Sequence, residues 1–231
     1  ATAAIPAQLW RKFYGIPYVL HVQDLWPESV TGSGMLGNGW LNKTAGAVLN
    51  LWLRRLYGNA SKLLTLSPGM AQRLIDRGHR ADQCVIVYNW AEEDTLQLKP
   101  AETFSSTGLK LLYAGNLGPM QDLETAIEAA RKLEDHRDFE FKIAGEGVAE
   151  ESLRAAAEGA RSVKFLGNLS HEEVARRYLE ADFQLVTLKD LPIFRTTIPS
   201  KLQVSLASGV PVITTVAGDV ANLVLKHQAG I

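Results

Sequence analysis

The residues best equipped for chemistry lie in one run, residues 195–215, which reads RTTIPSKLQVSLASGVPVITT. Arg195, Thr196, Thr197, Ser200 and Lys201 bring two cations and three hydroxyls together within seven positions. Pro199 stands where a first-turn helical proline is tolerated. Unpaired N–H groups at a helix start, hydroxyls and a lysine aimed at one spot suit a phosphate. Plainer readings stand beside this one: Arg195 and Lys201 as surface charge, Thr197 and Ser200 as helix caps.

Two glycine-bearing turns could serve the same ligand. In AGNLGPMQDLETA, Gly115 and Gly118 allow a tight turn and Gln121 is expected to begin a helix, so a pyrophosphate can rest on the turn amides. An ordinary strand-to-helix turn uses the same residues. In IAGEGVAEE, Gly145 and Gly147 flank Glu146, which reads equally as a solvated loop carboxylate; the GxGxxG fingerprint of dinucleotide oxidoreductases is absent. Nearer the start, HVQDLWPES places His21, Gln23, Asp24 and Glu28 at or just past a strand end, where an imidazole or carboxylate can handle a proton. His21 can instead be a wall histidine, and Asp24 a turn cap. The five histidines are scattered and no Cys/His spacing matches a zinc site, so no metal is expected.

Placing these residues calls for an α/β fold. Short apolar strands alternate with helices: strands at 18–23, 62–66 and 84–88 between helices near 3–14, 40–57 and 68–77. Residues 89–108 are polar, acidic and rich in turn formers, a linker pattern. The rhythm then resumes with strands at 109–114, 139–144, 163–167, 182–188 and 210–215, each followed by a helix. Two doubly wound parallel-sheet domains are expected, an incomplete first one over residues 1–100 and a second over 101–231. Ligands of such sheets sit beyond the C-terminal strand ends, at the loops after Ala114, Ala144, Phe165, Leu188 and Thr215.

Composition narrows the classes. With 231 residues, 46% hydrophobic and net charge −1, the chain suits two modest globular domains and excludes disordered or collagen-like polymers. Residues 1–90 hold nine Lys/Arg against four Asp/Glu, so the first part is basic and the remainder acidic. The segments LNKTAGAVLNLWLRRLY and LWRKFYG mix aromatic and basic residues, as does a helix resting on an anionic membrane surface or one facing a core. Basic residues are too sparse for a nucleic-acid surface. The single cysteine, Cys84, reads as a buried structural thiol and fits a reducing cytoplasm. No apolar run approaches the length of a membrane span, and both ends read as cut, so a piece of a longer protein is expected.

Taken in order, HVQDLWPES, TLSPGM before a helix, VYNW before the linker, LLYAGNLGPMQDLETAIEAA, FKIAGEG, VKFLGNLSHEEV and TTIPSKLQVSLASGVPVIT resemble GT-B glycosyltransferases of family 4. The resemblance is to the bacterial subgroup that adds N-acetylfucosamine or similar sugars during O-antigen and capsule assembly. It implies two Rossmann-like domains, the second holding a nucleotide-sugar donor, uridine-linked, and the first a glycan or polyprenyl-diphosphate-linked acceptor. It also implies metal-independent transfer with retention, in the cytoplasm or at the inner face of its membrane.

Carried over residue by residue, the donor side comprises Gly115, Asn116, Gly118, Gln121, Gly145, Glu146, Gly147, Thr196, Thr197, Ser200 and Lys201. Lys201, with Arg195, would neutralise the leaving diphosphate. Asp24 would orient the acceptor, with His21, Gln23 and Glu28 beside it. The chain departs from the family pattern in having Thr196 and Val204 where two glutamates stand eight apart, Asn116 and Gln121 where an Arg and a Lys are common, and Gln23 or Asp24 where many members carry a histidine. Two rival functions use the same architecture: a nucleotide-sugar epimerase, and a non-catalytic nucleotide-sugar-binding subunit.

Overall fold

Leu111, Leu112, Tyr113 and Ala114 are buried four in a row, which requires both faces of their strand to be covered. Leu111 and Tyr113 join one core with Ile127, Phe141 and Leu153, while Leu112 and Ala114 join another with Tyr178 and Val210. The computed structural model describes residues 2–25, 40–91, 98–99, 108–134 and 138–231, except for the side chains of residues 2 and 40–48. The chain divides into two compact units, Ala1–Tyr88 and Asn89–Ile231.

The first unit holds α1 (Ile5–Tyr14), β1 (Val19–Val22), α2 (Trp40–Asn59), β2 (Lys62–Thr65), α3 (Pro68–Asp76) and β3 (Cys84–Ile86). Its sheet is parallel, in the order β1-β2-β3, over a core that includes Val22, Leu53, Leu56, Leu63 and Leu74. The carbonyls that close α2 are satisfied from outside the helix: Tyr18 Oη donates to Leu56 O at 2.6 Å, and Gln83 Nε2 to Tyr57 O at 2.7 Å. At the start of α3, Ser67 Oγ accepts from Met70 N at 3.1 Å and Pro68 fills the first turn, as the SPGM sequence suggests. Cys84 is half-buried rather than buried, because β3 is a sheet edge; burial still pushes its thiol up, with the Asp82 charge adding to the effect. Nothing on α1 is buried, and Leu9, Trp10, Phe13 and Tyr14 are exposed beside Arg11 and Lys12. Glu28 lies outside the described residues. Among those described, no helix is long and apolar enough to cross a membrane.

The second unit runs β4 (Gly108–Ala114), α4 (Leu123–Leu133), β5 (Asp138–Ala144), α5 (Glu150–Ala156), β6 (Val163–Gly167), α6 (His171–Glu180), β7 (Phe183–Val186), α7 (Ser200–Ala207), β8 (Val212–Thr214) and α8 (Asp219–Lys226). All pairings are parallel, in the order β6-β5-β4-β7-β8. The chain therefore winds outward from β4 to β6, returns, and winds the other way through β7 and β8. This is the doubly wound, Rossmann-like arrangement, and its direction reverses between β4 and β7. The last strand is shorter than the expected 210–215 run, although Val210 stays buried in the turn before it.

The units part earlier than the expected boundary at residue 100. Lys99 belongs with the second unit: its N–H donates to Ser208 O at 2.8 Å, and its buried ammonium donates to Ala181 O and sits 3.8 Å from Asp182 Oδ1. Burial lowers the Lys99 pKa, partly opposed by Asp182.

Candidate functional site

At the reversal point a cleft of about 1010 Å³ opens beyond the C-terminal strand ends of the second unit. Its walls come from the loops after β4, β5 and β6, from the start of α7, and from Trp90 and Ala91. Two of these loops are stitched together. Gly115 N donates to Ala144 O at 3.0 Å, Leu117 N to Glu146 O at 2.9 Å, and Ala149 N to Leu117 O at 2.9 Å. The approach is close enough that a Cβ at Gly145, whose φ is +129°, would stand 1.9 Å from Gly115 O. Only glycine fits there.

The stitching corrects one expectation. The amides of Gly115 and Leu117 are spent on the neighbouring loop, so of the expected anion cradle only the Asn116 and Gly118 N–H groups lack a partner among the described residues. Gln121 does not begin a helix either. It closes a 3-10 turn, Pro119–Gln121, and α4 starts at Leu123 after Asp122 in the left-handed region, φ 52°. A direct turn-to-helix path is interrupted, and the Gln121 side chain is left facing the cleft.

Across from this loop α7 begins at Ser200. Pro199 occupies the cap position rather than the first turn, and no side chain caps the helix. Leu202 N is spent on Pro199 O, leaving the Ser200 and Lys201 amides open among the described residues. Leu202 is fully buried in the Val186 and Val212 core, which fixes the helix start and with it the neighbouring Lys201.

The Lys201 ammonium reaches back to the β4 loop. It donates to Tyr113 Oη at 2.8 Å and Gln121 Oε1 at 3.0 Å, while Tyr113 Oη donates to Asn116 O at 2.6 Å. Among the described residues no carboxylate pairs with Lys201. Among the described residues, Lys201 is, apart from His171, the sole basic side chain on the cleft walls and Glu146 the sole acidic one. Burial without counter-charge pulls the Lys201 pKa from 10.5 to about 8. Burial also raises the Tyr113 phenol, with Tyr178 adding to the effect, so Tyr113 stays a neutral partner. A desolvated cation without an anion, beside open amides, is an anion-binding arrangement.

Other expected residues are placed differently. Arg195 is exposed and forks onto Asp190 at 3.0 and 3.1 Å, and it is not on the cleft walls; a carboxylate five residues earlier in its own loop competes successfully for it. Thr196 and Thr197 both turn their hydroxyls onto Ile193 O, at 3.1 and 3.2 Å, and of the two only Thr197 lines the cleft. Gly118 and Gly147 shape the loops without lining it, since a Cβ on Gly147 would stand 2.4 Å from Leu117 O. Glu146 does line it, held by Asn168 Nδ2 at 3.2 Å, and Val204 sits on the wall as an apolar surface. In the first unit, Gln23 Nε2 lies 3.2 Å from His21 Nδ1 just after β1, and Asp24 is exposed beside them.

Cleft residues that escaped the sequence include Trp90, Asn168 and His171, and Tyr113, buried behind the wall, escaped it as the partner of Lys201. Tyr113 could have been found as the aromatic immediately before the turn, facing a lysine-bearing helix across the switch point. Trp90 read as linker, yet it is 77% exposed on the cleft wall. No cluster of three or more His, Cys, Asp or Glu that could hold a metal occurs among the described residues.

The family models match both units. Residues 108–231 match the model described as "Glycosyl transferases group 1", and residues 1–90 a "Glycosyl transferase 4-like domain". The chain belongs to the group 1 glycosyl transferases. Among other members, it is 29% identical over 213 residues to the putative colanic acid biosynthesis glycosyl transferase WcaI of Escherichia coli K12, covering 87% of this chain and 52% of that one. It is 23% identical over 214 residues to the probable glycosyltransferase WbjE of Pseudomonas aeruginosa, covering 89% and 52%. The chain thus spans about half the length of these curated relatives.

Solved structures carry the same fold. Anabaena Alr3699/HepE in complex with UDP superposes with a TM-score of 0.69 at 16% identity, over 96% of this chain and 59% of that one. WaaG, a glycosyltransferase involved in lipopolysaccharide biosynthesis, gives 0.68 at 17%, over 99% and 67%. This group 1 glycosyl transferase therefore has two Rossmann-like units of the GT-B type.

Proposed function

We propose that the complete protein is a retaining glycosyltransferase that moves a sugar from a nucleoside diphosphate donor to a glycan or polyprenyl-diphosphate-linked acceptor in cell-surface polysaccharide synthesis. One observation carries the donor assignment: the uncompensated ammonium of Lys201 in the cleft beyond β4 and β7. A diphosphate supplies the charge that this ammonium lacks. The open amides of Asn116, Ser200 and Lys201 would bind its oxygens, and the helix N-terminus adds favourable potential.

In the reaction, the bond from the anomeric carbon to the diphosphate oxygen breaks and a bond from the acceptor oxygen to that carbon forms on the same face. The acceptor's proton passes to the departing phosphate, and Lys201 stabilises the negative charge that develops there. A metal is not called upon, since Lys201 and the amides supply the counter-charge. Asp24, beside His21 and Gln23, would orient the acceptor hydroxyl.

A uridine-linked N-acetylated deoxyhexose is the donor suggested by the sequence resemblance, and structural neighbours that bind UDP or UDP-glucose support the uridine. The names of relatives and neighbours, colanic acid and lipopolysaccharide biosynthesis, support a role in O-antigen or capsule assembly. The exposed aromatic and basic residues of α1 support contact with the anionic inner face of the cytoplasmic membrane.

The test is a thermal-shift panel of nucleotide sugars on the complete protein, followed by transfer of labelled sugar to lipid-linked acceptor. A true donor raises the melting temperature by mass action, and the shift should vanish in Lys201→Ala. Binding with transfer at background would point to a non-catalytic subunit. Isomerised sugar from donor incubated alone would point to an epimerase. Wild-type activity in Lys201→Ala would sink the assignment of the leaving-group cation.

A further inference from the structure

Lys201 does not enter the cleft as a free side chain. Its ammonium has three N–H groups. Two are already directed, one to Tyr113 Oη at 2.8 Å and one to Gln121 Oε1 at 3.0 Å, which leaves one for a ligand. Tyr113 is itself fixed: it is fully buried, and its proton is committed to Asn116 O at 2.6 Å, so its oxygen faces Lys201 as an acceptor. Gln121 Oε1 also lies 3.2 Å from Tyr113 Oη, so phenol, carboxamide and ammonium form a closed triangle. A Cβ at Gly115 would make only ordinary van der Waals contact with the Lys201 ammonium, at 3.4 Å, and it is the φ of +149° that favours glycine there.

We propose that Tyr113 and Gln121 are positioning residues that hold the Lys201 ammonium with a single N–H presented to the donor diphosphate. Gln121 is thereby reassigned from a ligand contact to a support, because its acceptor oxygen is spent on Lys201. The arrangement gives a neutral cradle to a cation that crosses from α7 to the β4 loop. Neutrality matters: a carboxylate at either position would pair with the lysine and compete with the diphosphate, whereas a phenol and an amide orient the charge without cancelling it. The flexible four-carbon stem of lysine, which otherwise samples many rotamers, is held in the binding conformation before the ligand arrives.

This inference rests on the proposed diphosphate site, and a double-mutant cycle on the complete protein separates the two. The probes are UDP and uridine, measured by calorimetry with wild type, Tyr113→Phe, Lys201→Met and the double variant. Tyr113→Phe deletes one oxygen from a buried ring and is expected to preserve the fold, checked by its circular dichroism. It should weaken UDP about tenfold, the scale of a hydrogen bond to a charged group, and leave uridine affinity unchanged. In the Lys201→Met background the same change should have no further effect on UDP.

The alkaline loss of UDP affinity supplies a second readout. Its midpoint should move to lower pH in Tyr113→Phe, because the charged ammonium loses an acceptor; among the described residues the other titratable groups on the cleft walls are Glu146, His171 and Tyr178. Equal weakening of UDP and uridine, additive losses in the double variant, or an unmoved midpoint would overturn the positioning role. UDP binding unaffected by Lys201→Met would overturn the diphosphate site itself.

Discussion

Replacing Lys201 with methionine should make this protein more stable and less able to bind its donor. The methionine keeps the length of the stem and removes the charge. A fall in pKa from 10.5 to about 8 means that holding the ammonium charged at pH 7 costs about 3 kcal/mol relative to the unfolded chain, at about 1.4 kcal/mol per pKa unit. Against this, the methionine forfeits the hydrogen bonds to Tyr113 and Gln121, worth about 1 kcal/mol each. The net gain is about 1 kcal/mol, or about 2–4 °C in melting temperature for a chain of this size.

Calorimetric scans at pH 7 with and without saturating UDP give both halves of the result: Lys201→Met melts higher when empty and loses the rise that UDP confers on wild type. The pH dependence has a fixed sign. Between about pH 8 and 10.5 the unfolded chain holds a proton on Lys201 that the folded chain has released, so wild-type stability should gain on that of the variant as pH rises through this window. A bound diphosphate favours the charged form, so UDP affinity should fall above about pH 8. A lower melting temperature for the variant would refute the reasoning, because it would mean that the charge is compensated in the fold.

Gly145→Ala should destabilise the second unit by at least about 2 kcal/mol in urea titrations and weaken UDP binding, since its Cβ would force the Gly115 loop away. Arg195→Gln should leave UDP affinity within about twofold of wild type by calorimetry, and stability within about 1 kcal/mol, because the ion pair with Asp190 is solvent-exposed. Ser170→Ala removes the side-chain half of the capping box that opens α6, in which Glu173 N donates to Ser170 Oγ at 3.3 Å, and should cost about 1 kcal/mol in urea with donor binding intact.

Most of the fold was legible because its signals are local. The apolar runs around Leu112 and Ile143 mark doubly covered strands, and the glycines after Ala114 and Ala144 mark the loops that must approach one another. The cleft was legible only in part, because its chemistry depends on partners distant in sequence. Lys201 was found, but the residues that hold it stand 80 and 88 positions away, beyond the reach of any spacing rule. Arg195 was misdirected for the opposite reason: Asp190 was in plain view, and a local ion pair outcompeted the expected ligand role. Likewise, the amides of Gly115 and Leu117 look open along the chain and are closed only by a second loop. Lys99 could not be assigned to a unit from its polar neighbours, since its burial depends on carbonyls at Ala181 and Ser208.

The stitching of the β4 and β5 loops bears on how donor preference could be altered. With Gly115, Leu117 and Ala149 cross-bonded to one another's neighbours, an insertion in either loop would have to be matched in the other, so libraries built there should yield mostly unfolded clones. The opposite wall is less constrained: Trp90 arrives on one segment and Asn168 and His171 on another, and Asn168 touches the stitched loops through one exposed bond to Glu146. Diversification confined to those three positions should retain folded protein while sampling new sugars, dividing the cleft into a rigid half for the common leaving group and an adaptable half for selectivity.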